Sequence, residues 1–318
     1  MDNSMIMGDY FKHLRLMNGL SRTELASRID MSEKTLQRIE LGQVDAKVSQ
    51  LMTFMNYFAV SPAEVLARTN TVLPNPAAVA KEMAAATDLP QIAQLADELT
   101  RLTRKYRTEW LKTSQIACEI LRLALVGDDE AAQRLANRMA NGFLLRDFIT
   151  SYDFQLLTLV AGCVSFDRLK LLLISGQLHR HLGNAAESTV VSRFYRQLLD
   201  CAFAEQDPAA VRYVCDVIQS NITQADCVSL QAYRHFSGVL GLALDGHETA
   251  AQHDFEALKS GLMALGAETE LAEMAPLFQG WLVAASRLAS IAGCTKTLTH
   301  QTNIAVNLKA ATRVANEQ

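Results

Sequence analysis

Along most of the chain apolar residues recur at spacings of three and four, the period of a helix buried on one side. In the first seventy residues these stripes are short and clearly punctuated. Phe11, Leu14 and Met17 make the first, over 9–17, and Asn18-Gly19 ends it. Ser21-Arg22-Thr23-Glu24 is a capping-box pattern, in which the Ser21 hydroxyl accepts from the Glu24 amide while the Glu24 carboxylate reaches back. It opens a helix over 22–28 with Leu25, Ala26 and Ile29 turned inward. After the Asp30-Met31 turn, Ser32 caps a third helix over 33–40, with Leu36 and Ile39 on its core side and Leu41-Gly42 as its stop. A fourth helix spans 48–58. Ser61-Pro62-Ala63-Glu64 opens a fifth, with Pro62 at the first helical position.

A polar, proline-punctuated stretch, Thr69 to Pro76, follows and is the best boundary in the chain. It predicts a domain over 1–70, a linker over 71–76 and a second domain over 77–318. The second domain has helical period almost throughout, near 77–87, 90–108, 109–126, 128–140, 147–162, 165–182, 187–206, 207–220, 225–245, 247–264 and 269–290. An internal echo organises it. Leu123-Ala-Leu-Val-Gly127-Asp-Asp-Glu-Ala-Ala-Gln133 matches Leu242-Ala-Leu-Asp-Gly246-His-Glu-Thr-Ala-Ala-Gln252, and Cys201 to Ala210 carries the same Ala pair. Aligned on that pair, the repeats sit at 131, 209 and 250, two periods of 39 and one of 41. Helix, tight turn and helix at about 40 residues predict a TPR-like α-solenoid; an ordinary antiparallel bundle is the alternative. The fold class is all-α, a five-helix N-terminal unit followed by that solenoid.

Composition supports a folded helical chain: 49% hydrophobic and 20% charged over 318 residues, with few Gly and Pro. No signal sequence and no uninterrupted apolar run of about 18 residues is present, which predicts a cytoplasmic protein without a membrane partner. Six cysteines, at 118, 163, 201, 215, 227 and 294, are scattered among apolar neighbours without a CxxC pair, so they read as reduced core thiols. The net charge of −4 does not advertise a polyanion partner, and residues 1–70 balance eight basic against eight acidic side chains. Any affinity for nucleic acid must rest on where the charges sit.

They sit suggestively. Two short helices joined by a tight turn inside a five-helix unit make a helix-turn-helix. The run Gly19 to Gly42 resembles the phage-repressor (Cro/CI, or XRE) family, with Ala26 as the small residue at the helix crossing and Met31 as the apolar turn residue. On the third helix Glu33, Lys34, Gln37 and Arg38 project together, with tips suited to base edges in a major groove. Arg22, Gln43 and Lys47 are phosphate candidates. The resemblance implies a structural ion pair between Arg15 and Glu40. It also marks a departure, because the family often has Gln where this chain has Arg22. A helical unit that borrowed the pattern for protein contacts is the competing reading.

The whole architecture resembles the Rgg/GadR/MutR regulators, within the peptide-pheromone receptors that include PlcR-like proteins. That resemblance implies a homodimer on double-stranded DNA, with an inverted-repeat operator. It also implies a concave groove in the repeats that binds a short signalling peptide and modulates DNA binding or transcription. Some members carry an interchain cysteine in the DNA domain; here no Cys precedes Cys118. Polar or aromatic residues placed mid-repeat are the groove candidates: Arg146, Tyr152, Asn184, Tyr195, Arg196, Asn221, Tyr233 and Arg234. The alternatives are a constitutive regulator whose repeats only dimerise or bind a protein partner, and a repeat scaffold with a vestigial DNA domain. The basic run Arg101 to Arg107 reads as a solvated helix face.

Enzymatic patterns are absent. His247 and His253 lie at i, i+6, about 240° apart around a helix, where a zinc box needs i, i+4. His247 falls on a repeat turn and reads as a cap; His179 and His181 point to different sides of a helix and read as surface residues. Nothing predicts a catalytic residue, a metal site or a cofactor.

Overall fold

A computed structural model describes residues 7–68, 75–222 and 227–315, with side chains over 7–65, 75–222 and 227–291. The linker residues 69–74, with Pro74, and the side chain of Cys294 lie outside that description. The chain divides into two compact units, Met1–Asn75 and Pro76–Gln318. All described regular structure is helical.

The first unit contains α1 (Met7–Met17), α2 (Arg22–Arg28), α3 (Glu33–Glu40), α4 (Val48–Phe58) and α5 (Pro62–Arg68). Its ends are set by local chemistry. Ser21 and Glu24 close the full capping box, at 3.1 and 2.8 Å. Ser32 accepts from the Thr35 amide at 3.1 Å, and Gln50 accepts from the Lys47 amide at 2.9 Å. Asp30 carries the α2–α3 turn at φ +51°, a left-handed conformation that Asp tolerates better than most residues. The core packs Leu25, Ala26 and Ile29 of α2 and its cap with Leu36 and Ile39 of α3, around Phe11 stacked on Phe54 at 4.4 Å. Met31 packs against this cluster as the turn residue.

The second unit contains α6 (Pro76–Ala85), α7 (Leu89–Tyr106), α8 (Glu109–Leu125), α9 (Asp129–Leu144), α10 (Ser151–Val160), α11 (Phe166–Ile174), α12 (His179–Leu182), α13 (Ser188–Ala204), α14 (Pro208–Asn221), α15 (Val228–Leu244), α16 (Glu248–Ala264) and α17 (Glu268–Ala315). The pairs α8/α9, α13/α14 and α15/α16 are antiparallel hairpins, and α10/α11 is a fourth pair joined through a short 3-10 turn, Ala161–Cys163. The first helices of the pairs, with α17, begin at 109, 151, 188, 228 and 268. Each packs on the next, so they form one layer of the array. One continuous core runs from Val79 to Leu288. Its distal half is aromatic: Phe236 stacks on Phe278 at 3.9 Å, with Phe255, Tyr233 and Trp281 around them.

Three expectations need correcting. The stretch 165–182 is two helices, because Gly176 at φ +75° breaks it after α11. The Ala-pair register is one residue off in the middle repeat. The left-handed turn residues are Gly127, Gln206 and Gly246, each two residues before the next helix starts, whereas the Ala pair puts Glu205 in the place of Gly127. The turn conformation, not the Ala pair, sets the true register. His181, expected at the surface, is buried: its ring stacks on Phe154 at 5.0 Å, with Nδ1 3.1 Å from Glu187 and Nε2 3.0 Å from the Ile149 carbonyl. His247 does take the N-cap position of α16, but its side chain makes no capping bond.

A Cβ at Gly127 or Gly246 would meet nothing within 4 Å. The demand for glycine there is therefore conformational, at φ +78° and +82°. We expect Gly246→Ala to lower stability by about 1–2 kcal/mol, read from urea denaturation followed by tryptophan fluorescence. An unchanged midpoint would mean that the turn relaxes without cost.

Candidate nucleic-acid interface and ligand cleft

In the first unit α3 is held by charge as well as by apolar packing. Arg15 donates through Nε and Nη2 to the two oxygens of Glu40, at 2.6 and 3.0 Å, and through Nη1 to the Leu20 carbonyl at 2.8 Å. Both residues are buried. Arg22 donates its Nε to the same carboxylate at 2.8 Å. The pair that the resemblance implied is thus a triad tying α1, α2 and α3 together. Arg22, expected on a phosphate, spends its Nε on that triad and is half-buried.

The opposite face of α3 is open. Lys34, Gln37 and Arg38 are exposed side by side. Glu33 is exposed too, but its carboxylate accepts from the Thr23 hydroxyl at 2.9 Å, which bridges α2 and α3. Gln43 and Lys47 stand exposed on the segment leading to α4. The face offers an amide and two cations on a rigidly braced helix, the donor set that base edges and phosphates accept.

In the second unit the groove candidates do not converge on one place. Arg196 and Tyr233 do meet, in a cleft of about 530 Å³ formed by the first turns of α13, α15 and α17. The middle helix, α15, supplies its floor with Ser229 and Tyr233, so the layer of first helices is concave here. Trp281 donates its Nε1 to Asp200 at 2.8 Å, bracing α17 against α13.

The other six candidates lie elsewhere. Tyr195 is a core residue, fully buried with its hydroxyl donating to the Leu182 carbonyl at 2.9 Å, and burial pushes its pKa up. Asn221 belongs to α14, a second helix of its pair, where it pairs with His179 at 2.8 Å and donates to the Val217 carbonyl. Asn184 caps a short turn by accepting from the Ala186 amide at 3.1 Å. Arg146 is paired with Asp153 at 2.7 Å and lies over the Phe143 ring. Tyr152 shares a 2.7 Å hydrogen bond with Ser114 and meets Trp110 edge-on; burial raises its pKa to about 12. Arg234 is exposed on α15, one residue past Tyr233 and off the cleft lining. The other cleft residues were not foreseen from the sequence, among them Ser192, Arg193, Glu270 and Glu273. Only their i, i+3 and i, i+4 spacing along α13 and α17 could have flagged them, and every amphipathic helix has such a face.

Among the described residues no cluster of His, Cys, Asp or Glu could hold a metal ion, and no helix is long and apolar enough to cross a membrane. The five described cysteines are unpaired. Burial raises the thiols of Cys118 and Cys201 to about 11 and that of Cys215 to about 12, which leaves them unreactive near neutral pH.

Residues 6–67 match the model of a helix-turn-helix domain family. No curated protein matches the chain. Among solved structures it is similar to the SHP pheromone receptor Rgg2 of Streptococcus dysgalactiae, with TM-score 0.61 and 12% identity over 86% of this chain and 99% of that one. A protein of Listeria monocytogenes EGD-e gives TM-score 0.66 and 12% identity, over 87% and 97%. PrgX, in a complex with cCF10, gives 0.57 and 12%, over 89% and 94%. In fold, therefore, the chain is a helix-turn-helix unit followed by a helical unit, the arrangement that these solved structures share.

Proposed function

We propose that this chain is a sequence-specific DNA-binding transcription regulator whose repeat unit binds a short signalling peptide, and that it has no enzymatic activity. The observation that carries the first part is α3, whose exposed Lys34, Gln37 and Arg38 are backed by the buried Arg15–Glu40–Arg22 triad. A helix fixed from behind presents its outer side chains at a defined register, which base readout requires. Lys47 and Gln43 serve phosphates. One recognition helix reads few base pairs, so two copies act together on an inverted repeat. The concave cleft of α13, α15 and α17 supports the second part, as does similarity to structures described as a pheromone receptor and as PrgX with cCF10. The work is cytoplasmic, where DNA and an imported peptide meet.

Fluorescence anisotropy on DNA from upstream of the gene, over a salt series and with a random fragment as control, tests the reading. Gln37→Ala and Arg38→Ala should each lose about 1–3 kcal/mol on the specific site and little on random DNA. Lys47→Ala should weaken both alike and flatten the salt slope. Equal losses on both DNAs for Arg38→Ala would remove it from base readout. Arg22→Ala is a poor probe, because it also takes from Glu40 one of its two arginine partners. If short peptides encoded near the gene never change DNA affinity or transcription, the constitutive alternative takes over.

A further inference from the structure

The cleft of the repeat unit is electrically divided. Arg193 and Arg196, three residues apart on α13, stand on one wall, and Glu270 and Glu273, three apart on α17, stand on the other. Each pair shares a helix face, so each wall carries two like charges toward the same space. Their own helices do not neutralise them. Arg196 is 4.0 Å from Asp200, a loose contact, and no ion pair joins Arg193, Glu270 or Glu273 to another side chain among the described residues. Nor does an Arg–Glu pair close the cleft from wall to wall.

The space between the walls is neither bare nor wholly polar. Tyr233 of α15 and Met274 and Leu277 of α17 give it apolar surface, and all three are buried or half-buried. The hydroxyl residues Ser188, Thr189, Ser192, Ser229 and Thr269 also line it. One of them, Ser192, has its oxygen buried in the α13 wall with no hydrogen-bond partner. A buried hydroxyl is normally satisfied, and this one reaches a ligand backbone group only by turning out of the wall into the cleft. The volume, about 530 Å³, suits a few residues of extended chain and not a folded partner.

We infer that the segment bound here carries a carboxylate against Arg193 and Arg196, a cationic group against Glu270 and Glu273, and an apolar side chain between them over Tyr233. This rests on the peptide reading above and deepens it. The charge division fixes which way the segment lies across the three helices, because a reversed segment would face like charge at both ends. Selectivity then comes from a pattern of charge, not from hydrophobicity alone, and it weakens with ionic strength because both walls are solvated.

The test uses the full chain and a random heptapeptide library with free termini, with the bound fraction identified by mass spectrometry. Three proteins are compared: the wild type, R193Q/R196Q and E270Q/E273Q. Glutamine matches glutamate in length and, though shorter than arginine, keeps a polar hydrogen-bonding tip without the charge; circular dichroism confirms that each variant is folded. Wild-type protein should enrich peptides with an acidic and a basic group separated by apolar residues. R193Q/R196Q should lose the preference for the acid by about tenfold or more while keeping that for the base, and E270Q/E273Q the reverse. Enrichment that ignores charge, or that is the same in all three proteins, overturns the inference and leaves peptide binding standing. No enrichment on the wild type removes both.

Discussion

Glu40→Ala should unfold the helix-turn-helix unit, or come close to it, while the repeat unit stays intact. The substitution removes the one acceptor shared by Arg15 and Arg22. Arg15 is buried and keeps only its bond to the Leu20 carbonyl. Stranding a buried charge costs about 3–5 kcal/mol, comparable to the whole stability of a unit this small. Both tryptophans, Trp110 and Trp281, are in the repeat unit, so fluorescence would miss the event. Hydrogen exchange across residues 7–65 in the full chain reports it directly, as loss of protection there with none lost beyond residue 76. Retained protection in α1–α3 would show that the triad is a register device with little net stabilisation.

The same carboxylate predicts a pH response. Burial alone would raise the Glu40 pKa, but hydrogen bonds and charge from Arg15 and Arg22 outweigh it, and the folded value lies below the ordinary one. The linked stabilisation is therefore fully present above the unfolded carboxylate pKa, about 4.3. It is lost as pH falls through the depressed folded value. Glu40→Gln should remove this part of the acid sensitivity of the first unit, because glutamine has no proton to bind in that range.

What the sequence made legible divides by range of interaction. Helix ends in the first unit follow from caps three residues long, such as Ser21-Glu24 and Ser32-Thr35, so they could be read one after another. Contacts between distant segments left no such trace. Arg22 reaches Glu40 across 18 residues, and nothing local distinguishes it from a solvent-facing arginine. His181 is buried because Ile149 and Glu187 offer acceptors to its two ring nitrogens, a coincidence of three segments. The α10/α11 repeat was only an interval in the echo, since a 3-10 turn replaces the Gly-Asp turn and no Ala pair marks it. The cleft was the least legible part. Selecting polar and aromatic residues by type found Arg196 and Tyr233, but it also gathered Tyr195 from the core and Asn221 from the other helix layer. Side-chain type alone does not say which face of a helix looks inward.

Gly8 shows how such a reading can reverse the sign of an effect. It lies inside α1, where glycine is ordinarily a weakness and alanine would add about 1 kcal/mol of stability through helix propensity. Across the α1–α3 crossing, however, a Cβ on residue 8 would collide with the Ile39 carbonyl oxygen and lie 3.1 Å from the Glu40 Cα. Those are backbone atoms of α3 and cannot swing aside as a side-chain tip would. Either α3 moves outward, opening the contact that brings Glu40 to Arg15, or α1 shifts along its axis. Overpacking against rigid neighbours costs about 1–3 kcal/mol and sometimes more. Here strain and a loosened buried ion pair act together, so Gly8→Ala should destabilise the first unit by about 3 kcal/mol or more. Hydrogen exchange over residues 7–65 measures the loss. DNA binding should fall with it on specific and random sequences alike, because the whole of α3 is displaced and not one of its contacts. Stabilisation by Gly8→Ala would mean that α1 and α3 cross with more room than this geometry gives them.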